Sequence, residues 1–90
     1  MTPSVSVVIP VYNEGNTIVA CLDRLCAAIT LPFEILVVYD SLDDTTRLHA
    51  EQYARDDPRV LPTLNTFGRG PAQAIRYGIE HASADVAVVT

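Results

Sequence analysis

Lysine and tryptophan are absent from this 90-residue chain, which carries only four glycines, two cysteines and one methionine. Its six basic residues are all arginine, set against eleven Asp and Glu for a formal charge of −5 with both histidines neutral. Arg47, Arg55, Arg59, Arg69 and Arg76 are scattered, so no basic cluster offers a footprint to nucleic acid or to an anionic membrane. Cys21 and Cys26 would stand about 140° apart on a helix, which suits neither a disulfide nor a metal pair, and they read as buried free thiols. No stretch approaches the roughly 18 continuous apolar residues of a membrane span. Met1-Thr2-Pro3-Ser4 carries no Lys or Arg, and the apolar run before Pro10 is only Val7-Val8-Ile9, so no secretory leader is expected. The expected location is the cytoplasm, or the cytosolic face of a membrane where a longer parent carries an anchor.

Catalytic and cofactor signatures are missing too. Pro10-Val11-Tyr12-Asn13-Glu14-Gly15 holds one glycine, so neither the dinucleotide fingerprint Gly-x-Gly-x-x-Gly nor a P-loop follows the first strand. Gly-x-Ser-x-Gly does not occur, and His49 and His81 have no Cys or second His at ligand spacing, which leaves them as surface residues. A phosphoacceptor domain of the response-regulator kind would need an acidic pair after the first strand and a late lysine. Here Glu14 stands alone and no lysine exists.

What is present is apolar: 49% of residues, against 19% charged, which excludes disorder and suits one domain over residues 1–90. Val5 to Ile9 and Glu34 to Tyr39 are dense β-branched runs ended by Pro10 and Asp40. Arg59-Val60-Leu61, closed by Pro62, is a short third strand, and Asp85 to Thr90 a fourth. Runs apolar on both faces belong to parallel strands covered by helices. Ile18, Val19, Leu22, Leu25, Cys26 and Ile29 recur at helical spacing, beginning near Asn16 or Thr17. Asp43-Asp44-Thr45-Thr46 opens a second helix with a thin face of Leu48, Ala50, Tyr53 and Ala54, and Pro71 opens a third running through Ala72, Ala74, Ile75, Gly78, Ile79 and Ala82. Ala74 and Gly78 leave that last face open to close approach. The order β-α-β-α-β-α-β predicts an α/β, Rossmann-like parallel sheet between helical layers.

Ligands of such sheets bind beyond the C-terminal strand ends. Tyr12 and Glu14 fall there: a phenol can stack on a planar ligand and a carboxylate can accept from it. The competing reading is a capping loop held by Asn13 and Asn16. Asp40 ends an apolar strand, where a carboxylate needs donors; a ribose hydroxyl or a base N–H would serve, or Asp40 or Ser41 could cap the next helix. Asp43 and Asp44 read as caps. Gly68-Arg69-Gly70-Pro71 offers backbone N–H groups and a guanidinium to a phosphate, on a weak signal. Tyr39, Tyr53 and Tyr77 read as packing aromatics.

Three blocks carry a family likeness. Val5-Ser-Val-Val-Ile-Pro-Val-Tyr-Asn-Glu14 resembles the start of GT-A fold, family 2 glycosyltransferases, the group that includes dolichyl-phosphate mannosyltransferases. Glu34-Ile-Leu-Val-Val-Tyr-Asp-Ser-Leu-Asp-Asp-Thr-Thr46 resembles that family's Glu-Ile-(hydrophobic)3-Asp-Asp-Gly-Ser-x-Asp-x-Thr. Gly68-Arg-Gly-Pro-Ala72 through Gly78-Ile79, Ala82 and Asp85 to Thr90 resembles the helix and strand leading to its Asp-x-Asp. The resemblance implies a nucleotide-diphospho-sugar transferase fold, present in part, with strand order 3-2-1-4. It implies that Pro10, Tyr12, Glu14 and Asp40 bind the nucleotide, to which the local reading of the glycine loop adds Arg69, with Asp44, Thr46, Gly68 and Gly70 as motif support. It further implies a UDP- or GDP-sugar donor, inverting sugar transfer to an acceptor, and Mg²⁺ or Mn²⁺ held by an Asp-x-Asp just after Thr90.

On this likeness the chain supplies the donor-base half of a transferase, binds no metal by itself and is inactive alone. Tyr39 stands for the family's first Asp, Ser41 for its Gly, Leu42 for its Ser, and Arg76 where Asn is common. Of those departures, Tyr39 and Leu42 support the alternative, a non-catalytic nucleotide-sugar-binding or structural module. Strand 85–90 would lie unpaired on one side, an apolar edge that invites self-association.

Overall fold

A computed structural model describes residues 2–90. The elements run β1 (Val5–Pro10), α1 (Ile18–Ala28), β2 (Phe33–Tyr39), α2 (Thr45–Asp56), β3 (Val60–Leu64), α3 (Pro71–His81) and β4 (Val86–Val89). All strands are parallel in one four-stranded sheet of order β3-β2-β1-β4, the order that the family likeness implies. No helix among the described residues is long and apolar enough to cross a membrane.

Strand alternation divides the core in two. Val7, Ile9, Ile35, Val37 and Tyr39 point to one face, where Ile18, Leu22 and Ala50 from α1 and α2 cover them. Val8, Leu36 and Val38 point to the other, against Ala74 of α3. The layers are therefore α1/α2, sheet, α3. Helix α3 lies close because its contact face is small: a Cβ on Gly78 would collide with Val8 Cγ1 and stand 3.3 Å from Val38 Cγ2.

The end of the sheet away from the strand C-termini is closed by a buried polar knot. Ser6 Oγ and the Ser83 N–H both donate to Glu34 Oε2 at 2.6 Å, and the Ala84 N–H donates to Ser6 Oγ at 3.1 Å. With Ser6 and Glu34 both buried, these bonds satisfy a carboxylate that would otherwise be costly, and they fix the turn between α3 and β4.

Several expectations are corrected. Pro62 does not close β3, which continues to Leu64. The Ile35 N–H donates to Arg59 O and the Asn65 N–H to Tyr39 O, so alternate residues of β3 face β2 and Pro62 turns its nitrogen to the open edge, where a missing N–H costs nothing. Leu48 and Ile79 are exposed rather than packed, because α2 and α3 each touch the sheet along a narrow stripe. Cys21 and Cys26 are free but only half-buried. Cys26 Sγ lies 3.7 Å from Asp57 Oδ2, and burial is the largest cause pushing its thiol pKa up. Strand β4 is shorter than 85–90, and Val86, Val88 and Val89 lie exposed.

Candidate functional site

A cavity of about 640 Å³ opens beyond the C-terminal strand ends, lined by Pro10, Tyr12, Glu14, Asp40, Asp44, Arg69 and Gly70 among others. That volume fits a nucleotide-sized ligand. Pro10, Tyr12, Glu14, Asp40 and Arg69, the residues expected to bind the nucleotide, thus meet at one cleft. Thr46 and Gly68 do not line it.

The first wall is a loop stitched to the start of α2. Asp44 Oδ1 accepts the Thr46 N–H at 2.7 Å, capping α2, and the Asn13 N–H at 3.1 Å. Asn13 Oδ1 accepts the Thr45 N–H at 3.1 Å, while Thr46 Oγ1 and Thr45 Oγ1 accept the Glu14 and Gly15 N–H groups at 2.7 and 3.2 Å. Asn13 takes a left-handed φ of 49°, which Asn tolerates. Gly15 is pressed so closely that a Cβ would lie 2.8 Å from Thr45 O. Asp44 and Thr46 therefore hold the loop against the start of α2, and Asp44 also lines the cleft. Asn13 bonds the first turn of α2, whose cap is Asp44 rather than Asp40 or Ser41.

This stitching presents Tyr12 with 78% of its surface exposed, an open aromatic face above the cleft. Glu14 is exposed beside it, its Oε2 3.4 Å from the Tyr12 N–H. Tyr39, at the strand position next to Asp40, is buried in the α1/α2 core and does not reach the cleft. Strand alternation forces this: neighbouring residues face opposite sides.

The second wall joins Asp40 to the loop before α3. Asp40 Oδ1 accepts from Asn65 Nδ2 at 2.8 Å, and Oδ2 accepts the Gly70 N–H at 3.0 Å. Gly68 and Gly70 hold left-handed φ values of 122° and 108°, conformations suited to glycine. Arg69 between them is exposed and has no hydrogen-bond or ion-pair partner among the described residues. The cleft therefore offers an aromatic face, carboxylates whose outer lone pairs can accept, and one unpaired guanidinium. Asn65 and Thr45 were missed by sequence reasoning; the only local signal was Asn65 standing three residues before Gly68.

Among the described residues no group of three His, Cys, Asp or Glu side chains stands close enough to hold a metal ion. The carboxylates that line the cleft are instead spread over its two walls.

Residues 6–90 match the family profile described as glycosyl transferase family 2. The chain is 35% identical over 88 residues to an undecaprenyl-phosphate 4-deoxy-4-formamido-L-arabinose transferase of Klebsiella pneumoniae, covering 93% of this chain and 27% of that protein. The same figures hold for the transferase of that description from Yersinia pestis. Among solved structures, a mannosyltransferase from Pyrobaculum calidifontis in complex with GDP-Man and Mn²⁺ superimposes with a TM-score of 0.77 at 29% identity, over 97% of this chain and 26% of that one. The chain thus spans about a quarter of the length of the proteins it matches. The parallel α/β sheet is the expected Rossmann-like GT-A sheet, in part.

Proposed function

This chain belongs to glycosyl transferase family 2, and we propose that it forms the part of a sugar transferase that grips the nucleotide of a nucleotide-diphosphate sugar. The observation that carries this is the convergence of Tyr12, Glu14, Asp40 and Arg69 on one cavity at the sheet's C-terminal end. Tyr12 stacks on the base, Glu14 and Asp40 accept from its edge or from the ribose, and Arg69 meets the diphosphate. The base is uracil or guanine; the Pyrobaculum calidifontis mannosyltransferase solved with GDP-Man supports the guanine case.

In the whole protein, transfer would be inverting, and Mg²⁺ or Mn²⁺ held by ligands outside these residues would offset the charge of the leaving diphosphate. The 90-residue chain alone is inactive, works in the cytoplasm or at the cytosolic membrane face, and pairs with a second copy along the unpaired β4 edge. Sedimentation at tens of micromolar tests the pairing, and a clean monomer speaks against it.

A titration with UDP, GDP and their sugars, with and without Mn²⁺, tests the donor reading. Binding of free nucleotide without metal dependence is expected; a folded sample that binds none refutes it. A second reading, a non-catalytic module of the same fold, is favoured by Tyr39, which fills the core where the family motif has a carboxylate. Nucleotide binding by a full-length protein that carries all expected motifs yet transfers no sugar would support that reading.

A further inference from the structure

Asn65 lies outside the cleft, buried with 6% of its surface exposed, yet every polar group of its side chain is engaged. Nδ2 donates to Asp40 Oδ1 at 2.8 Å and to Gly68 O at 2.6 Å, and Oδ1 accepts the Phe67 N–H at 2.9 Å. Its own N–H donates to Tyr39 O at 2.8 Å, continuing the ladder of β2. The Asp40 carboxylate therefore clamps the loop at both ends, through Asn65 at one oxygen and through the Gly70 N–H at 3.0 Å at the other.

Between those pinned points stand two glycines with left-handed φ and, flanked by them, Arg69. Glycines supply that path at the expense of rigidity. A guanidinium on a free Gly-Arg-Gly segment would have to be ordered when the ligand binds, at a cost in affinity. The amide of Asn65 suits this place because it alone donates to a carboxylate and a carbonyl while accepting from an N–H.

We propose that Asn65 is a positioning residue that joins Asp40 and the Gly68-Arg69-Gly70 loop into one preorganised unit, so that Arg69 is already placed for the diphosphate of the donor. The inference rests on the donor reading of the cleft. Asn65 touches no ligand; it acts through Arg69 and Asp40.

Calorimetric titration of the protein with guanosine, GDP, uridine and UDP tests it, using Asn65→Ala, Arg69→Ala and the double variant. In the wild-type background Arg69→Ala should weaken binding of the preferred diphosphate about tenfold, and Asn65→Ala should do the same while affecting the nucleoside less. In the Asn65→Ala background, removing Arg69 should cost less than about threefold, because the loop is already released. Additive losses, or equal losses for nucleoside and diphosphate, overturn the proposal while leaving the donor reading standing. Absence of nucleotide binding by the wild-type protein overturns the donor reading and this proposal with it. Should Asn65→Ala not fold, Asn65→Asp keeps the size and the acceptor for Phe67 but replaces both donor contacts with repulsion, and it is held to the same outcomes.

Discussion

Replacing Asp44 by Ala should loosen the cleft wall before it unfolds the sheet. Asp44 is 7% exposed and one of its oxygens accepts two N–H groups, from Thr46 and from Asn13 thirty-one residues away. Loss of the helix cap costs about 1 kcal/mol. Loss of the charge-assisted bond to Asn13 costs roughly 1.5–3 kcal/mol, since that donor is left partly buried. The sum, about 3 kcal/mol, is a large part of the roughly 5–13 kcal/mol available to a chain of this length, and it should lower Tm by more than about 10 °C. Asp44→Asn keeps the acceptor oxygen and should cost about 1 kcal/mol. Hydrogen exchange locates the effect: the Asn13, Glu14 and Gly15 amides, all bonded to the start of α2, should lose protection well before β1 and β2. A Tm shift below about 3 °C, or a loss of protection spread evenly over the sheet, would refute the view that Asp44 holds the loop.

Gly78→Ala should destabilise despite the better helix propensity of Ala: the gain of about 1 kcal/mol is outweighed by a Cβ pressed into Val8, for a net loss of about 1–2 kcal/mol in urea unfolding. Tyr12→Ala should leave Tm unchanged, since the ring is 78% exposed, yet weaken nucleoside binding by about 1–3 kcal/mol of stacking. Asp57 is held at a pKa of about 2, chiefly by hydrogen bonds from the Arg59 guanidinium. Its folded value lies below its unfolded one, so its contribution is complete above about pH 4 and is lost as pH falls toward 2. With Arg59 48% exposed, solvent screening limits that contribution to about 1 kcal/mol. Arg59→Ala should remove this acid-dependent step from a pH series of denaturation curves; an unchanged step would show that Asp57 is held by something else.

The layered order was legible because each strand is a dense β-branched run and each helix an apolar stripe, patterns set by local geometry. Strand order was a different matter: it came from the family motifs, since nothing in Val60 or Val86 announces which neighbour it joins. Pro62 misled because proline stops a central strand but not an edge one, and edge status is a tertiary property. Tyr39 was read correctly as a packing aromatic, yet its missing reach into the cleft follows only from the face that β2 assigns to it. The cleft-lining residues Tyr12, Glu14 and Asp40 were legible from their position after strands. The bonds that hold them, Asn13 to Thr45 and Asn65 to Asp40, join distant side chains and backbone groups, and no spacing rule records such pairs.

The two margins of the sheet differ in a way that limits how copies could assemble. Along the outer side of β3 the Val60 N–H is already bonded to Asp57 O, and Pro62 has none to give, so that border resists templating. By the register of β4 on β1, Ala87 and Val89 direct their backbone groups outward. The β3 border is thus the poorer template, and copies that pair as proposed would favour β4 against β4, a closed two-fold rather than a head-to-tail fibre. Cross-linked ladders extending past the dimer would contradict this geometry.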